Sequence, residues 1–306
     1  MKAKQMAPLL LLAFIWGCYF VASGKTVEGL SVFTAGVIIR FLTMILLTII
    51  MWKKGELRQL FQTRHVLIRL IIIGTLGFLL DATAFIGLSL SPAGSGTALL
   101  KSDILFVNII SVLIYKEKFT KKDWLFTLVM LFGILNVMGI DFTKFKLSGK
   151  GDIFFVLSAL FVAINAFVIK SVQLDKKSPT ADNVVAYYNN FITMIFFLVT
   201  SLATGSLGQL SALGQDRGLM IAALFAGLGQ TLVYVFYYSS LRTNPVWIVK
   251  VFLLLIPVVT TIVSFVLFGE TMGRKQYIGI IIVLVGALGI LLEQKRKANT
   301  VKKAKA

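Results

Sequence analysis

The amino-acid sequence predicts an all-α polytopic membrane protein with ten transmembrane helices. Of its 306 residues, 58% are hydrophobic and 14% are charged, and its mean hydropathy is +0.89. A soluble domain carries about 25% charged residues. Ten apolar runs follow one another along the chain, each near the roughly 20 residues that a spanning helix needs. No water-soluble core could absorb so much apolar surface, so we expect a multi-pass protein.

The ten predicted helices are separated by short polar or glycine-rich segments. The first run superficially resembles a signal peptide, but it is long, lacks a clean cleavage site and is followed at once by further runs. We therefore expect it to be retained as a helix. The shortest breaks, at 89–94 and 242–245, contain proline, which favours a turn. The predicted spans are 7–25, 32–52, 66–88, 93–115, 123–140, 152–171, 183–204, 218–240, 245–268 and 276–293.

Lysine and arginine residues are divided unevenly between the two sides that ten crossings would create. With the N-terminus in the cytoplasm, the inner segments and the helix ends beside them hold 21 of the 31 basic residues, and the outer segments hold 7. Cytoplasmic loops of membrane proteins carry an excess of Lys and Arg. We therefore expect both termini to be cytoplasmic, whereas nine or eleven helices would place one terminus outside.

The second half of the sequence echoes the first. The segment RFLTMIL at 40–46 matches NFITMIF at 190–196. Four residues match at a spacing of 153: Pro92 with Pro245, Glu117 with Glu270, Lys122 with Lys275 and Gly133 with Gly286. Five crossings is an odd number, so a second copy must be inverted relative to the first. Inverted repeats of this kind build alternating-access carriers. We expect a first five-helix repeat over 1–146, a second over 147–293 and a basic cytoplasmic tail over 294–306.

The net charge of +18 does not come with a folded basic face. Most basic residues lie between apolar runs and in the tail KRKANTVKKAKA, which favours contact with anionic lipid over nucleic acid. The sequence has no phosphate loop, no HExxH, no CxxC and no His within a span. We expect no enzymatic activity, no cofactor and no metal. The expected partners are the lipid bilayer and a small-molecule substrate.

The fourth predicted helix carries Lys101, Asp103 and Asn108 at membrane depth. A charge there is costly unless it is paired or lines a wet cavity, so it indicates a functional site. Lys101 and Asp103 are separated by roughly 200° around a continuous helix, whereas Asn108 shares the side of Lys101. Lys101 either attracts the carboxylate or phosphate of a substrate or forms a structural ion pair with Asp81 or Asp103.

Two carboxylates, Asp81 and Asp103, lie at membrane depth and are candidates for coupling transport to protons. The alternative is that each permanently neutralises Arg40 or Lys101. We interpret Arg40 as a structural ionic residue. Lys250, in the ninth predicted helix, either lines a substrate cavity or extends its amine to the cytoplasmic interface.

Two aromatic residues and one proline complete the candidate site. Trp16 and Tyr234 are the aromatic residues that we expect in a substrate cavity, since Tyr234 is the repeat counterpart of Asp81. Pro257 lies in the middle of the ninth predicted helix, where it should weaken the backbone hydrogen bonding. A bend there suits a gating helix, and a static bend is the alternative.

Several short motifs occur in order along the chain: Trp16-Gly17, Arg40-Phe41, SPAGSG, KEKFTKKDW, TNP and GETMGRKQYIG. Over essentially its whole length, the sequence resembles the EamA-type branch of the drug/metabolite transporter superfamily. The resemblance implies an inner-membrane carrier that exports amino acids or related small metabolites, commonly coupled to protons. A carrier of an organic phosphate or carboxylate is the alternative, and a non-transporting scaffold or sensor is a third.

Overall fold

The computed structural model describes residues 3–90, 99–117, 119–138, 140, 151–269 and 273–303, and every regular element in these ranges is helical. The first half contains α1 (Ala3–Gly29), α2 (Val32–Lys53), a 3₁₀ helix (Leu57–Gln62), α3 (Leu67–Leu90), α4 (Asp103–Leu113) and α5 (Lys121–Val137). The second half contains α6 (Asp152–Gln173), α7 (Asp182–Ala203), a 3₁₀ helix (Ser206–Ser211), a helical turn (Ala212–Gln215), α8 (Arg217–Thr243), α9 (Val246–Leu253), α10 (Ile256–Phe268) and α11 (Arg274–Lys303).

Eight segments in the described part of the chain are helical, long and apolar enough to cross a membrane, which confirms a multi-pass helical protein. They are Ala7–Gly29, Val32–Lys53, Leu67–Ala84, Asp152–Gln173, Asp182–Ala203, Arg217–Thr243, Val246–Phe268 and Arg274–Glu293. The fourth and fifth predicted spans correspond to α4, with 11 residues, and α5, with 17. Both adjoin segments outside the described residues, so the count of ten remains a prediction.

Local sequence signals fix several helix ends. Thr120 and Asp123 form a capping box at the start of α5, in which each side chain accepts a backbone N–H of the other residue. The carboxylate of Asp216 accepts two backbone N–H groups at the start of α8. Gly269 ends α10 with φ of 66°, a left-handed conformation that glycine adopts without strain.

The helices group into two compact units, and each unit draws on both halves of the sequence. The first unit comprises residues 1–17, 83–163 and 245–306. The second unit comprises residues 18–82 and 164–244. This grouping by contact is a different division from the expected repeats at 1–146 and 147–293, which remain a prediction.

In the second unit, α2 and α7 have the same length of 22 residues and similar patterns of burial, although Asn183 and Asn190 are buried where Phe33 and Arg40 are partly exposed. Every buried residue of α2 has a buried counterpart 150 residues later in α7. The pairs are Thr34 and Val184, Ala35 and Val185, Gly36 and Ala186, Ile39 and Asn189, Thr43 and Thr193, Leu47 and Phe197, and Met51 and Ser201. Each helix is followed by a six-residue 3₁₀ helix. The burial pattern therefore repeats at the spacing of the sequence match.

Contacts in both units are reciprocal at the same spacings. Thr43 donates a hydrogen bond to the Gly227 carbonyl at 3.2 Å, and Thr193 donates one to the Gly74 carbonyl at 3.0 Å. Thr193 lies 150 residues after Thr43 and Gly227 lies 153 residues after Gly74, so each hydrogen bond is the counterpart of the other. In the first unit, Gly133 of α5 packs against Val283 of α11, and Gly286 of α11 packs against Met130 of α5. These contacts also exchange at a spacing of 153.

Two helices of the first unit are interrupted at positions that are 153 residues apart. Leu99 and Leu100 are helical, but a turn at Lys101 and Ser102 precedes α4. A second turn, at Leu254 and Leu255, separates α9 from α10. In these turns backbone N–H groups bond three residues back, as for Ser102 to Leu99 at 3.0 Å and Leu254 to Val251 at 3.1 Å. Such 3₁₀ geometry within a helix often marks a hinge.

Candidate functional site

A buried ion pair in the first unit joins α4 to α9. Lys250 Nζ lies 3.4 Å from Asp103 Oδ2, and the two side chains are 6% and 17% exposed. Asp103 lies in the first turn of α4, and Lys250 lies in the last turn of α9. A helix favours an anion at its N-terminus and a cation at its C-terminus, so both charges are placed favourably. Since its amine is paired and buried, Lys250 does not have the geometry of a side chain extended to the interface.

Lys101 lies in the turn before α4, half buried and within electrostatic range of both Asp103 and Lys250. Among the described residues, no carboxylate lies within 4.0 Å of its amine. The sequence argument that Lys101 and Asp103 face different ways assumed a continuous helix, whereas a turn interrupts the helix there. We name Lys101, Asp103 and Lys250 the charge cluster.

The buried face of α4 carries polar side chains that have no hydrogen-bonding partner in the described part of the protein. Asn108 is fully buried, and neither its amide nitrogen nor its amide oxygen is bonded. The hydroxyl of Ser111, three residues further along the same face, is also buried and unbonded. An unsatisfied buried polar group costs about 1–3 kcal/mol. These side chains are therefore available to a bound molecule.

The first unit also contains the helix α9 and two further candidates, Trp16 and Pro257. All eight residues of α9 are buried, and the Trp247 ring lies 4.4 Å from that of Phe119. Trp16 of α1 is half buried. Pro257 is the second residue of α10 and has no N–H to donate to the Leu253 carbonyl. The helix is interrupted where the proline predicted a weakened backbone, and the gating role of Pro257 remains a prediction.

The second unit contains a separate polar cluster around Arg40. Arg40 Nη2 lies 3.1 Å from Asp81 Oδ2, and the guanidinium carbon lies 4.4 Å from the centre of the Phe197 ring. Asn190 donates to the backbone carbonyl of Arg40 at 2.9 Å. Asp81 therefore neutralises Arg40 in this structure, which is one of the two alternatives that the sequence left open.

Tyr234 belongs to the Arg40 cluster of the second unit. It is buried, lies within electrostatic range of Arg40 and Asp81, and contacts the Tyr238 ring edge-on at 5.6 Å. Asn189 in turn donates to the Tyr238 hydroxyl at 2.7 Å. Since Tyr234 lies 153 residues after Asp81, positions matched at this spacing carry a charged residue and a neutral residue.

A further ion pair of the second unit joins the start of α3 to the segment between α6 and α7. Arg69 donates to the carboxylate of Asp175 in the segment between α6 and α7. That hydrogen bond is the main cause that lowers the pKa of Asp175 to about 2, with smaller contributions from the N–H groups of Lys177 and Ser178. Asp175 is therefore ionised at neutral pH, and the pair acts as a fixed contact between segments.

Sequence reasoning missed Ser111 and Phe197 as parts of these clusters. Ser111 could have been found because it lies three residues after Asn108 and so shares its helix face. Phe197 lies seven residues after Asn190, again on one face, but an aromatic in a membrane helix is more often a packing residue. The described residues contain no group of three His, Cys, Asp or Glu side chains that could hold a metal ion.

Comparison with known proteins identifies the family of this chain. The model of the EamA-like transporter family matches residues 5–139 and 149–292. The uncharacterized transporter YyaM of Bacillus subtilis (strain 168) is 24% identical over 250 residues, which cover 80% of this chain and 79% of that protein. One solved crystal structure superposes with a TM-score of 0.77 over 97% of this chain and 98% of its own, at 14% identity. At that identity the superposition supports the fold alone.

Proposed function

Because this chain belongs to the EamA-like transporter family and is a multi-pass membrane protein, we propose that it is a secondary carrier that exports a small metabolite by alternating access. The substrate is an amino acid or a related zwitterion or anion, and the carrier acts in the cytoplasmic membrane. Exchange against protons, through Asp103 or Asp81, is the coupling that we propose. An organic phosphate or carboxylate is the alternative substrate.

Inverted repeats supply the two interconvertible states of such a carrier. The matching burial of α2 and α7 and the reciprocal contacts at spacings of 150 and 153 support two copies of one five-helix unit. Loop contacts in the second unit agree with the proposed order of crossings, which places the two partners of each contact on the same side. Ser31 N donates to Gln209 Oε1 at 2.6 Å, and His65 Nε2 lies 3.1 Å from the Ser178 carbonyl. The first contact joins two proposed outer segments, and the second joins two inner ones.

The observation that carries the proposal is the ion pair between Asp103 and Lys250 at two interrupted helices. Carriers built from inverted repeats commonly form their substrate sites from discontinuous helices near the bilayer midplane. Asp103 belongs to the proposed first repeat and Lys250 to the proposed second, so movement of one repeat against the other would alter this pair. A site that changes with the conformational state is what alternating access requires.

Flux in proteoliposomes tests the proposal. Vesicles are loaded with a mixture of amino acids, small organic acids and sugar phosphates, and efflux of each is followed by mass spectrometry with and without an inward proton gradient. We expect efflux of at least one component, faster with the gradient, and loss of that efflux in Asp103→Ala. Protein-free vesicles are the control. If monodisperse wild-type protein transports none of the compounds, the proposed function is wrong. If efflux occurs at the same rate with and without the gradient, only the proposed proton coupling is wrong.

A further inference from the structure

The charge cluster holds two cations and one anion. Asp103 pairs with Lys250 at 3.4 Å, and no described carboxylate lies within 4.0 Å of Lys101. Residues 91–98, which lie outside the described part, read SPAGSGTA and contain no ionisable side chain. Counted over the described side chains, the cluster thus carries one net positive charge at membrane depth, where an uncompensated charge is unfavourable.

We propose that the substrate carries a single net negative charge, which compensates Lys101. This inference rests on the proposed function and names the substrate class for the same site. A zwitterion brings no net charge and would leave the cluster positive. A phosphate monoester brings a charge of about −1.5 to −2 at neutral pH and would overcompensate it. The cluster therefore favours a monocarboxylate over an amino acid or an organic phosphate.

The buried face of α4 indicates a second feature of the substrate. Asn108 has two donors and one acceptor without partners among the described residues, and the hydroxyl of Ser111 lies on the same face. A methyl or other apolar group placed there would leave these groups unsatisfied. The substrate therefore also carries an uncharged hydrogen-bonding group, such as a hydroxyl or an amide, beside its carboxylate.

Three probes share one carbon skeleton and differ in net charge: asparagine as the zwitterion, the monoamide of malate as the monoanion, and malate as the dianion. Counterflow of each labelled probe is measured in proteoliposomes at neutral pH. We expect the wild type to transport the monoamide about tenfold faster than asparagine or malate, since specificity is a difference of affinities. Lys101→Gln makes the cluster neutral and should shift the preference to asparagine. Asp103→Asn adds one positive charge and should shift it to malate.

Lys176→Gln, a substitution in the exposed loop between α6 and α7, removes the same charge elsewhere and should keep the wild-type preference. Lys101→Gln carries the test if Asp103→Asn does not fold, because it breaks no ion pair among the described residues. Equal transport of asparagine and the monoamide by both wild type and Lys101→Gln would overturn the inference and leave the carrier function standing. No counterflow of any probe, from protein that exports other compounds in the broader mixture, would also overturn it.

Discussion

At the scale of single residues, the unbonded amide of Asn108 is the clearest sign of a binding site in α4. A fully buried amide without a hydrogen-bonding partner among the described residues lowers stability by about 1–3 kcal/mol. Under the proposed function, a bound substrate supplies the missing hydrogen bonds.

We therefore predict that Asn108→Leu leaves the thermal unfolding midpoint in detergent unchanged or raises it, while transport falls about tenfold or more. Asn190→Leu is the matched control, because Asn190 is also buried but donates to the Arg40 carbonyl at 2.9 Å. It should lower the midpoint through the loss of a hydrogen bond that contributes about 1 kcal/mol. If Asn108→Leu destabilises the protein as much as Asn190→Leu does, the amide is structural.

A second residue-scale prediction concerns Asp175, whose pKa is lowered to about 2 by Arg69. Its folded value lies below the ordinary value of 3.8, so the stabilising contact is fully present above pH 3.8 and is lost as the pH falls toward 2. Between about pH 5 and 8, Asp175→Asn should leave the pH profile of transport unchanged. A shifted profile in that range, measured as flux against pH, would contradict the assignment of this pair as a fixed contact.

At the scale of elements, the close approach of α5 and α11 depends on glycine. A Cβ on Gly133 would lie 2.8 Å from Val283 Cγ2 and 2.9 Å from the Val283 backbone nitrogen, distances that force a shift of the helices. Gly133→Ala should therefore destabilise the protein by about 1–3 kcal/mol. The measurement is the free energy of unfolding in denaturant.

Gly24→Ala is the matched control for this prediction. Nothing lies within 4 Å of a Cβ at Gly24 in α1, so alanine should stabilise the helix by roughly 0.5–1 kcal/mol. Equal effects of the two substitutions would mean that the packing of α5 on α11 is looser than the distances indicate.

The interruption between α9 and α10 gives a prediction about transport rate. Pro257→Ala adds a backbone N–H that can bond to the Leu253 carbonyl and extend α10 toward α9. We expect slower flux, by about three- to tenfold, with unchanged or higher stability, because a hinge is stiffened. Pro8→Ala, at a proline within α1, should leave the flux unchanged. Flux equal to that of the wild type in Pro257→Ala would show that the bend is static and does not act as a gate.

The helix boundaries and interruptions show which features the sequence could predict. The span 32–52 corresponds closely to α2, and Pro257 indicated the interruption before α10. No proline or glycine marks the turn at Lys101 and Ser102, so the hydropathy pattern predicted an uninterrupted helix there. The pairing of Asp103 with Lys250 joins residues 147 apart in the chain. Helix periodicity within one span carries no information about such a partner.

At the scale of the whole molecule, the proposed order of crossings places Ser178 and Ser211 on opposite sides of the membrane. Ser178 is exposed in the loop between α6 and α7, and Ser211 is exposed between α7 and α8. Since Cys18 is the single cysteine, Cys18→Ser gives a background without thiols. In intact cells, an impermeant maleimide should label Ser211→Cys and not Ser178→Cys, whereas both should react after permeabilisation. The reverse pattern would place the termini outside.

The shared burial of α2 and α7 has a consequence for how the chain tolerates change. If each position of one copy occupies the same environment as its counterpart, a saturation mutagenesis survey should give two superimposable profiles, offset by 150 residues over these helices. The two profiles should differ at Arg40 and Asn190, because one of these matched residues is charged and the other is not. Paired positions that differ in their tolerance to substitution would then identify where the two halves of the chain have acquired different roles.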